Sequence, residues 1–260
     1  MQRIELTTLE VDRTPGPPPR KPSFVASGDA PRTAATDRCG AGEPWSAAAS
    51  ATDYSLYTPL HYEPKYAYPL IVWLHDHGFN EADAVAMISR ISLRNYIAVG
   101  PRGTESCVAG GFAWIQSGSA IAATEQAVFA AIDGARLQLN VHPQRIFIAG
   151  AGQGGTMAFR LAFRHPELFA AVISLNGPLP DGLAPLGRLK ACRQLPILWT
   201  QCAAHHFFDD TLLAEQLRLL YTAGFDLTLR QYPQPEPDWP LILPDVNRWI
   251  MERVSDSVVR

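Results

Sequence analysis

Two kinds of apolar pattern alternate along most of this chain. Short runs with hardly a polar position occur at Pro69–His75 (PLIVWLH), Tyr96–Pro101 (YIAVGP), Arg145–Gly150 (RIFIAG), Phe169–Leu175 (FAAVISL) and Leu195–Gln201 (LPILWTQ), and the more polar Asp226–Pro233 (DLTLRQYP) reads as another strand. Runs of that length suit strands buried on both faces. Tyr54–Leu60 (YSLYTPL) reads as a further strand at the entrance to the domain. Between the runs, apolar residues recur at three- and four-residue spacing over Glu81–Ile91, Ser119–Asn140, Gly155–His165, 209–223 and 243–253. These stretches predict amphipathic helices, the first capped by Asn80 and the third stopped by Pro166. Strands alternating with helices predict an α/β fold, a mostly parallel central sheet with helices on both faces. Ligand sites in such folds lie at the carboxyl ends of the strands, here just after His75, Pro101, Gly150, Leu175, Gln201 and Tyr232.

The first part of the chain departs from this pattern. The stretch IELTTLEVD, Ile4–Asp12, alternates loosely, as one edge strand would, but residues 13–52 hold seven of the 22 prolines and nine alanines with few large apolar residues. Such a segment buries too little surface to offset its ordering entropy. The expected organisation is an N-terminal extension over 1–52, poorly ordered in part, an α/β domain over 53–254, and a short tail over 255–260. The 260 residues are 47% hydrophobic, enough for a full core.

Charge and cysteine usage narrow the partners. A net charge of -3, with no run of five basic residues, gives no reason to expect a nucleic-acid partner. No apolar stretch reaches the ~18 residues of a membrane span, and MQRIELTTLEVDR lacks the apolar core of a signal peptide. Cys39, Cys107, Cys192 and Cys202 are far apart, as reduced thiols of a cytoplasmic protein would be.

The stretch that follows Arg145–Gly150 carries the chemistry. Gly150-Ala151-Gly152-Gln153-Gly154-Gly155 makes a glycine-rich turn between a strand and a helix. With PLIVWLHDHGFNEAD, AVGPRGTE, QRIFIAGAGQGGTMAFRLAFRHPELFAAVISLNGPLP and LPILWTQ, it resembles the phospholipase/carboxylesterase branch of the α/β-hydrolases, which includes acyl-protein thioesterases. The resemblance runs from about Tyr54 to Met251, with the motifs in the family's order and spacing. It implies the α/β-hydrolase fold and, in an ordinary member, an elbow of the form Gly-x-Ser-x-Gly.

Carried over residue by residue, the resemblance implies a site whose reacting groups are altered. The elbow's Gly150, Gln153 and Gly154 are in place, but the family's serine falls on Gly152. Thr156 and Ser174 are out of register to replace it. The acid position falls on His205, and Asp209 and Asp210 come later, where a helix begins. The seven histidines end at His206, so the segment after the last strand, YPQPEPDWPLILPD, has none to act as base. The oxyanion loop reads His75-Asp76-His77-Gly78, which puts a carboxylate where the family has a glycine. Repulsion from Asp76 is expected to oppose oxyanion stabilisation.

The remaining polar residues have a bland reading beside each sharp one. His75 matches a structural position. His77, Asp76, Cys202, His205 and His206 lie on loops at one end of the sheet and have the chemistry of metal ligands. Their spacings are short and their loops are far apart in sequence, so no metal and no cofactor is expected. Cys202 with His77 or His205 as a substitute dyad would sit off the elbow without an oxyanion hole. Phe112 and Trp114 either line the cleft or pack; Cys202, His206 and Trp239 are further candidates for its lining. The sequence-level reading is a pseudo-esterase acting on a small-molecule ligand or a protein partner, in an oligomeric state the sequence does not set. The alternative is an esterase or thioesterase with a non-standard nucleophile or a metal-bound water.

Overall fold

The computed structural model describes residues 5–8, 53–182, 188–202 and 210–256. The extension between 9 and 52, apart from the strand before it, and the tail from 257 lie outside the described residues, as do His205 and His206. Among the described residues, eight strands form one sheet: β1 (Glu5–Thr8), β2 (Tyr54–Tyr57), β3 (Tyr68–Leu74), β4 (Ile97–Pro101), β7 (Val141–Ala151), β8 (Ala171–Leu175), β9 (Ile197–Cys202) and β10 (Leu227–Tyr232). Their order is β1-β10-β9-β8-β7-β3-β4-β2, and every neighbouring pair is parallel except β2 with β4. Strands β5 (Glu105–Ser106) and β6 (Phe112–Ala113) form a separate small hairpin.

Alternation along each buried strand feeds two cores. Leu70, Val72 and Leu74 of β3 and Ile146 and Ile148 of β7 face α2 (Gly118–Gln138), α3 (Gln153–Arg164) and α5 (Asp210–Ala223). Ile71, Trp73, Phe147 and Ala149 face the other way, onto α1 (Asp83–Ile91) and α6 (Trp239–Asp256). With helices covering both faces, a strand can be apolar at every position, which is why these runs lack a polar side. The fourth helical segment of the chain, α4 (Leu189–Cys192), is a single turn.

The chain winds outward from β3 to β4, then returns to the other side of β3 as β7 and continues through β8, β9 and β10. The winding therefore reverses between β3 and β7. Loops leaving two such strands at their carboxyl ends diverge and leave a crevice between them. The loop after β3 begins at His75, and the turn after β7 holds Gly152.

Several local expectations shift. Asn80 is not the cap of α1; the capping position is Ala82, without a side-chain bond. Asn80 instead accepts from the Ala82 N–H at 2.9 Å through its side chain, and from the Asp83 N–H at 3.1 Å through its carbonyl. It closes the turn just before the helix. The last helix begins at Trp239, not 243, and carries Pro244 inside. Trp239 thus starts a helix instead of belonging to a rigid proline loop. The β5–β6 hairpin was hidden because two-residue strands carry no periodicity. Among the described residues, no helix is long and apolar enough to cross a membrane.

Candidate functional site

Small residues let β7 turn into α3. A Cβ on Gly154 would meet the Leu74 and His75 carbonyls, and one on Gly150 would meet the Gly154 backbone. Strand and helix can approach this closely only with hydrogen at those positions. Gly152 caps α3 with φ +48° and ψ -117°, backbone that side-chain-bearing residues avoid. Its N–H donates to the Leu175 carbonyl at 2.9 Å, and its carbonyl accepts from the Thr156 N–H at 3.1 Å. The result is a tight strand-to-helix turn with no side chain at its tip.

The space above Gly152 holds the carboxylate of Asp76. Asp76 Oδ1 accepts from the Gln153 N–H at 3.0 Å and from the His77 N–H at 2.7 Å. A Cβ built on Gly152 falls inside that carboxylate. Two facts make this a favourable place for negative charge. The Gln153 N–H belongs to the first turn of α3, whose amides have no partner within the helix. The positive end of a 12-residue helix dipole points the same way. The sequence-level expectation that Asp76 would only repel an oxyanion is therefore incomplete: its side chain takes up the two N–H groups itself.

His75 supports this loop from below. It is 1% exposed, and its Nε2 accepts from the Gly103 N–H at 3.0 Å. With Nε2 an acceptor, Nδ1 must carry the proton, which it donates to the Asp76 carbonyl at 2.7 Å. The ring is then neutral. Burial lowers its pKa from the ordinary 6.5, against the raising influences of the Asp76 carbonyl and of the Asp83, Glu81 and Asp76 carboxylates. Trp114, 2% exposed, donates its Nε1–H to the His75 carbonyl at 2.7 Å and lays its ring 4.9 Å from the imidazole. Packing, not cleft lining, is what Trp114 does here.

The other candidates are placed as follows. His77 is exposed beside Cys107, whose Sγ lies 4.0 Å from its ring nitrogens. Gly78 has φ +79° and open space around it. Phe112 is half-buried, bridges to Phe79, and carries the Arg102 guanidinium 5.1 Å above its ring. Trp239 is half-buried. Cys202 is buried at the end of β9; its N–H donates to Asn176 Oδ1 at 2.9 Å, its sulfur accepts from Asn176 Nδ2 at 3.4 Å, and burial pushes its thiol pKa up. A raised thiol pKa is the reverse of what a nucleophile needs. Ser174 Oγ, also buried, donates to the Gly177 carbonyl at 2.8 Å. Among the described residues, no three His, Cys, Asp or Glu side chains come together as metal ligands would. Sequence reasoning did not find Asn176, which holds φ +57° and clamps the end of β9; asparagine tolerance of the left-handed region was the available signal.

No family model matches the chain. Two curated proteins are similar over short stretches. One is the esterase candidate NocK of Nocardia uniformis subsp. tsuyamanensis, 38% identical over 58 residues, 22% of this chain. The other is a probable carboxylesterase of Oryza sativa subsp. japonica, 29% identical over 98 residues, 36% of this chain. The matched stretches span only 16% and 35% of those proteins. Among solved structures, Zea mays acyl-protein thioesterase 2 superposes with a TM-score of 0.59 at 16% identity, covering 78% of this chain and 99% of that one. The chain has the α/β-hydrolase fold. The loops after β3 and β7 meet because those two strands are neighbours in the sheet.

Two outcomes follow from this geometry. Gly152→Ser must place a side chain at positive φ and evict the Asp76 carboxylate, so it should cost about 2–4 kcal/mol in denaturant unfolding. A variant as stable as the parent would contradict the packing. The second concerns pH. A histidine whose folded pKa is depressed contributes stability that is present above 6.5 and lost as pH falls towards the folded value. Asp83, whose carboxyl pKa is raised by burial, acts in the opposite sense. The difference between parent and His75→Gln isolates the histidine: the Tm of the parent should fall more steeply between pH 7 and 5.5 than that of the variant, whereas parallel profiles would argue against a buried neutral His75.

Proposed function

We propose that this protein is a catalytically degenerate α/β-hydrolase homologue, a pseudo-esterase that works by binding a small molecule or a protein partner. The observation that carries the reading is the Asp76 carboxylate seated over Gly152, hydrogen-bonded to Gln153 and His77. In an acyl-transfer enzyme, a nucleophile must reach the substrate carbonyl from this elbow, and two N–H donors must await the developing oxyanion. Here the nucleophile position has no side chain and an internal anion holds the donors. A substrate carbonyl would have to displace a full negative charge to be polarised weakly.

The similarity to esterases and an acyl-protein thioesterase supports descent from hydrolytic machinery and supports a cleft at this place. Fold alone does not carry an activity. The alternative hydrolase with Cys202 as nucleophile loses support from the burial and raised thiol pKa of that residue. The proposed site residues are Gly150, Gly152, Gln153 and Gly154 of the elbow and His75, Asp76, His77 and Gly78 of the facing loop.

The test is direct. Purified protein should hydrolyse p-nitrophenyl acetate and butyrate no faster than an albumin control, and should resist fluorophosphonate labelling. Loss of a triad member leaves only about 10³–10⁴-fold over water in a working serine hydrolase. Turnover near about 1 s⁻¹, an ordinary enzymatic rate, that survives chelation would overturn the reading.

A further inference from the structure

We propose that a second ligand site lies at the amino ends of β3 and β4, and that it takes a small zwitterion, a free amino acid with an apolar side chain. A cavity of about 280 Å³ opens there between the turn before β3, the turn before β4 and the last turns of α6. Ligand pockets run from about 300 Å³ upward, so its occupant is small. The seven residues of β3 put about 20 Å between this cavity and the loop of Asp76. Glu63 and Arg94 stand at the rim, both exposed. Among the described residues neither is in an ion pair, with the other or with a third residue. The cavity between α2 and the start of β8 differs: there Asp133 is paired with Arg136 at 3.5 Å and Glu167 with Arg188 at 3.0 Å. A concavity with one free charge of each sign suits a ligand that brings the opposite pair.

The backbone on both sides is held in place before any ligand arrives. The Tyr66 N–H donates to the Glu63 carbonyl at 3.0 Å and closes one turn. The Glu63 N–H donates to the Tyr68 hydroxyl at 3.1 Å, and Asn140 Nδ2 donates to the Pro64 carbonyl at 3.0 Å. Across the cavity, the Arg94 and Asn95 N–H groups donate to Ser92 Oγ at 3.3 Å and 3.2 Å. Such preorganisation lowers the ordering cost of binding. The wall between the two charges is apolar. Pro69 is buried and Met251 of α6 half-buried, and the Tyr66 ring, 49% exposed, is held edge-on to Tyr68 at 4.7 Å. The Arg94 guanidinium matches a carboxylate through paired N–H donors. Glu63 accepts from an ammonium, and the ligand's side chain lies against Tyr66 and Met251.

The experiment titrates L-leucine at constant pH and ionic strength into the ¹⁵N-labelled full chain, following the amide resonances of Tyr66 and Asn95. The expected result is saturable shifts of both, with Gln153 unmoved. N-acetyl-L-leucine lacks the ammonium and L-leucinamide lacks the carboxylate. Each should bind at least about tenfold more weakly, the loss expected for one charge-assisted bond. Glu63→Gln and Arg94→Gln change exposed side chains and should keep the parent's Tm. Each should weaken L-leucine to the same extent. Glu63→Gln should then no longer favour L-leucine over its N-acetyl form, and Arg94→Gln should no longer favour it over the amide. No saturable shift of Tyr66 and Asn95 in the parent, equal binding of the three compounds, or variants that bind L-leucine as the parent does would overturn the proposal. Shifts at Gln153 alone would place the ligand at the elbow and overturn it too. None of these outcomes depends on whether the elbow is catalytic.

Discussion

A carboxylate held by two backbone N–H groups over a residue without a side chain organises this molecule's candidate site. Asp76, Gln153, His77 and Gly152 are mutually dependent. The positive φ of Gly152 turns the chain so that the Gln153 N–H opens outward, and the missing Cβ leaves the volume that the Asp76 carboxylate fills. A side chain at 152 would displace the carboxylate. Loss of the carboxylate would leave an unpaired first-turn amide at the positive end of α3. The bonds of His75 to Gly103 and to the Asp76 carbonyl fix the loop from the buried side.

The fold brings these residues together through winding order. Asp76 and Gln153 are 77 positions apart, yet β3 and β7 are adjacent and parallel, and their carboxyl ends point the same way. Both strands are covered by helices on either side, so the exposed part of the loops above them, from Asp76 on, lies outside the two cores. Chemistry at that crevice can change while the two cores below stay intact.

Most of this architecture was legible in the sequence. Fully apolar runs such as Pro69–His75 have one physical explanation in a chain with interleaved helical spacing: strands buried on both faces. The elbow was legible because glycines at 150, 152, 154 and 155 are costly in a helix or strand unless close approach requires them. What could not be read were contacts set by three-dimensional approach. Asp76 looked like a repulsive charge, because the sequence shows its sign but not which amides point at it. Trp114 was ambiguous until its Nε1–H was seen on the His75 carbonyl. The start of α6 was misplaced because the proline-rich QPEPDWP suggests a loop, although Pro240 sits in the first turn, where N–H groups lack partners.

Everything proposed for this site requires that Asp76 hold the Gln153 amide. First-turn amides of a helix exchange readily with solvent unless an outside acceptor protects them. Amide hydrogen exchange of Gln153 should therefore be slow in the parent and at least about tenfold faster in Asp76→Ala, the loss of roughly 1.4 kcal/mol or more for a charge-assisted bond. Exchange in the remainder of α3 should be unchanged. Equal exchange of Gln153 in the two proteins would contradict the central claim.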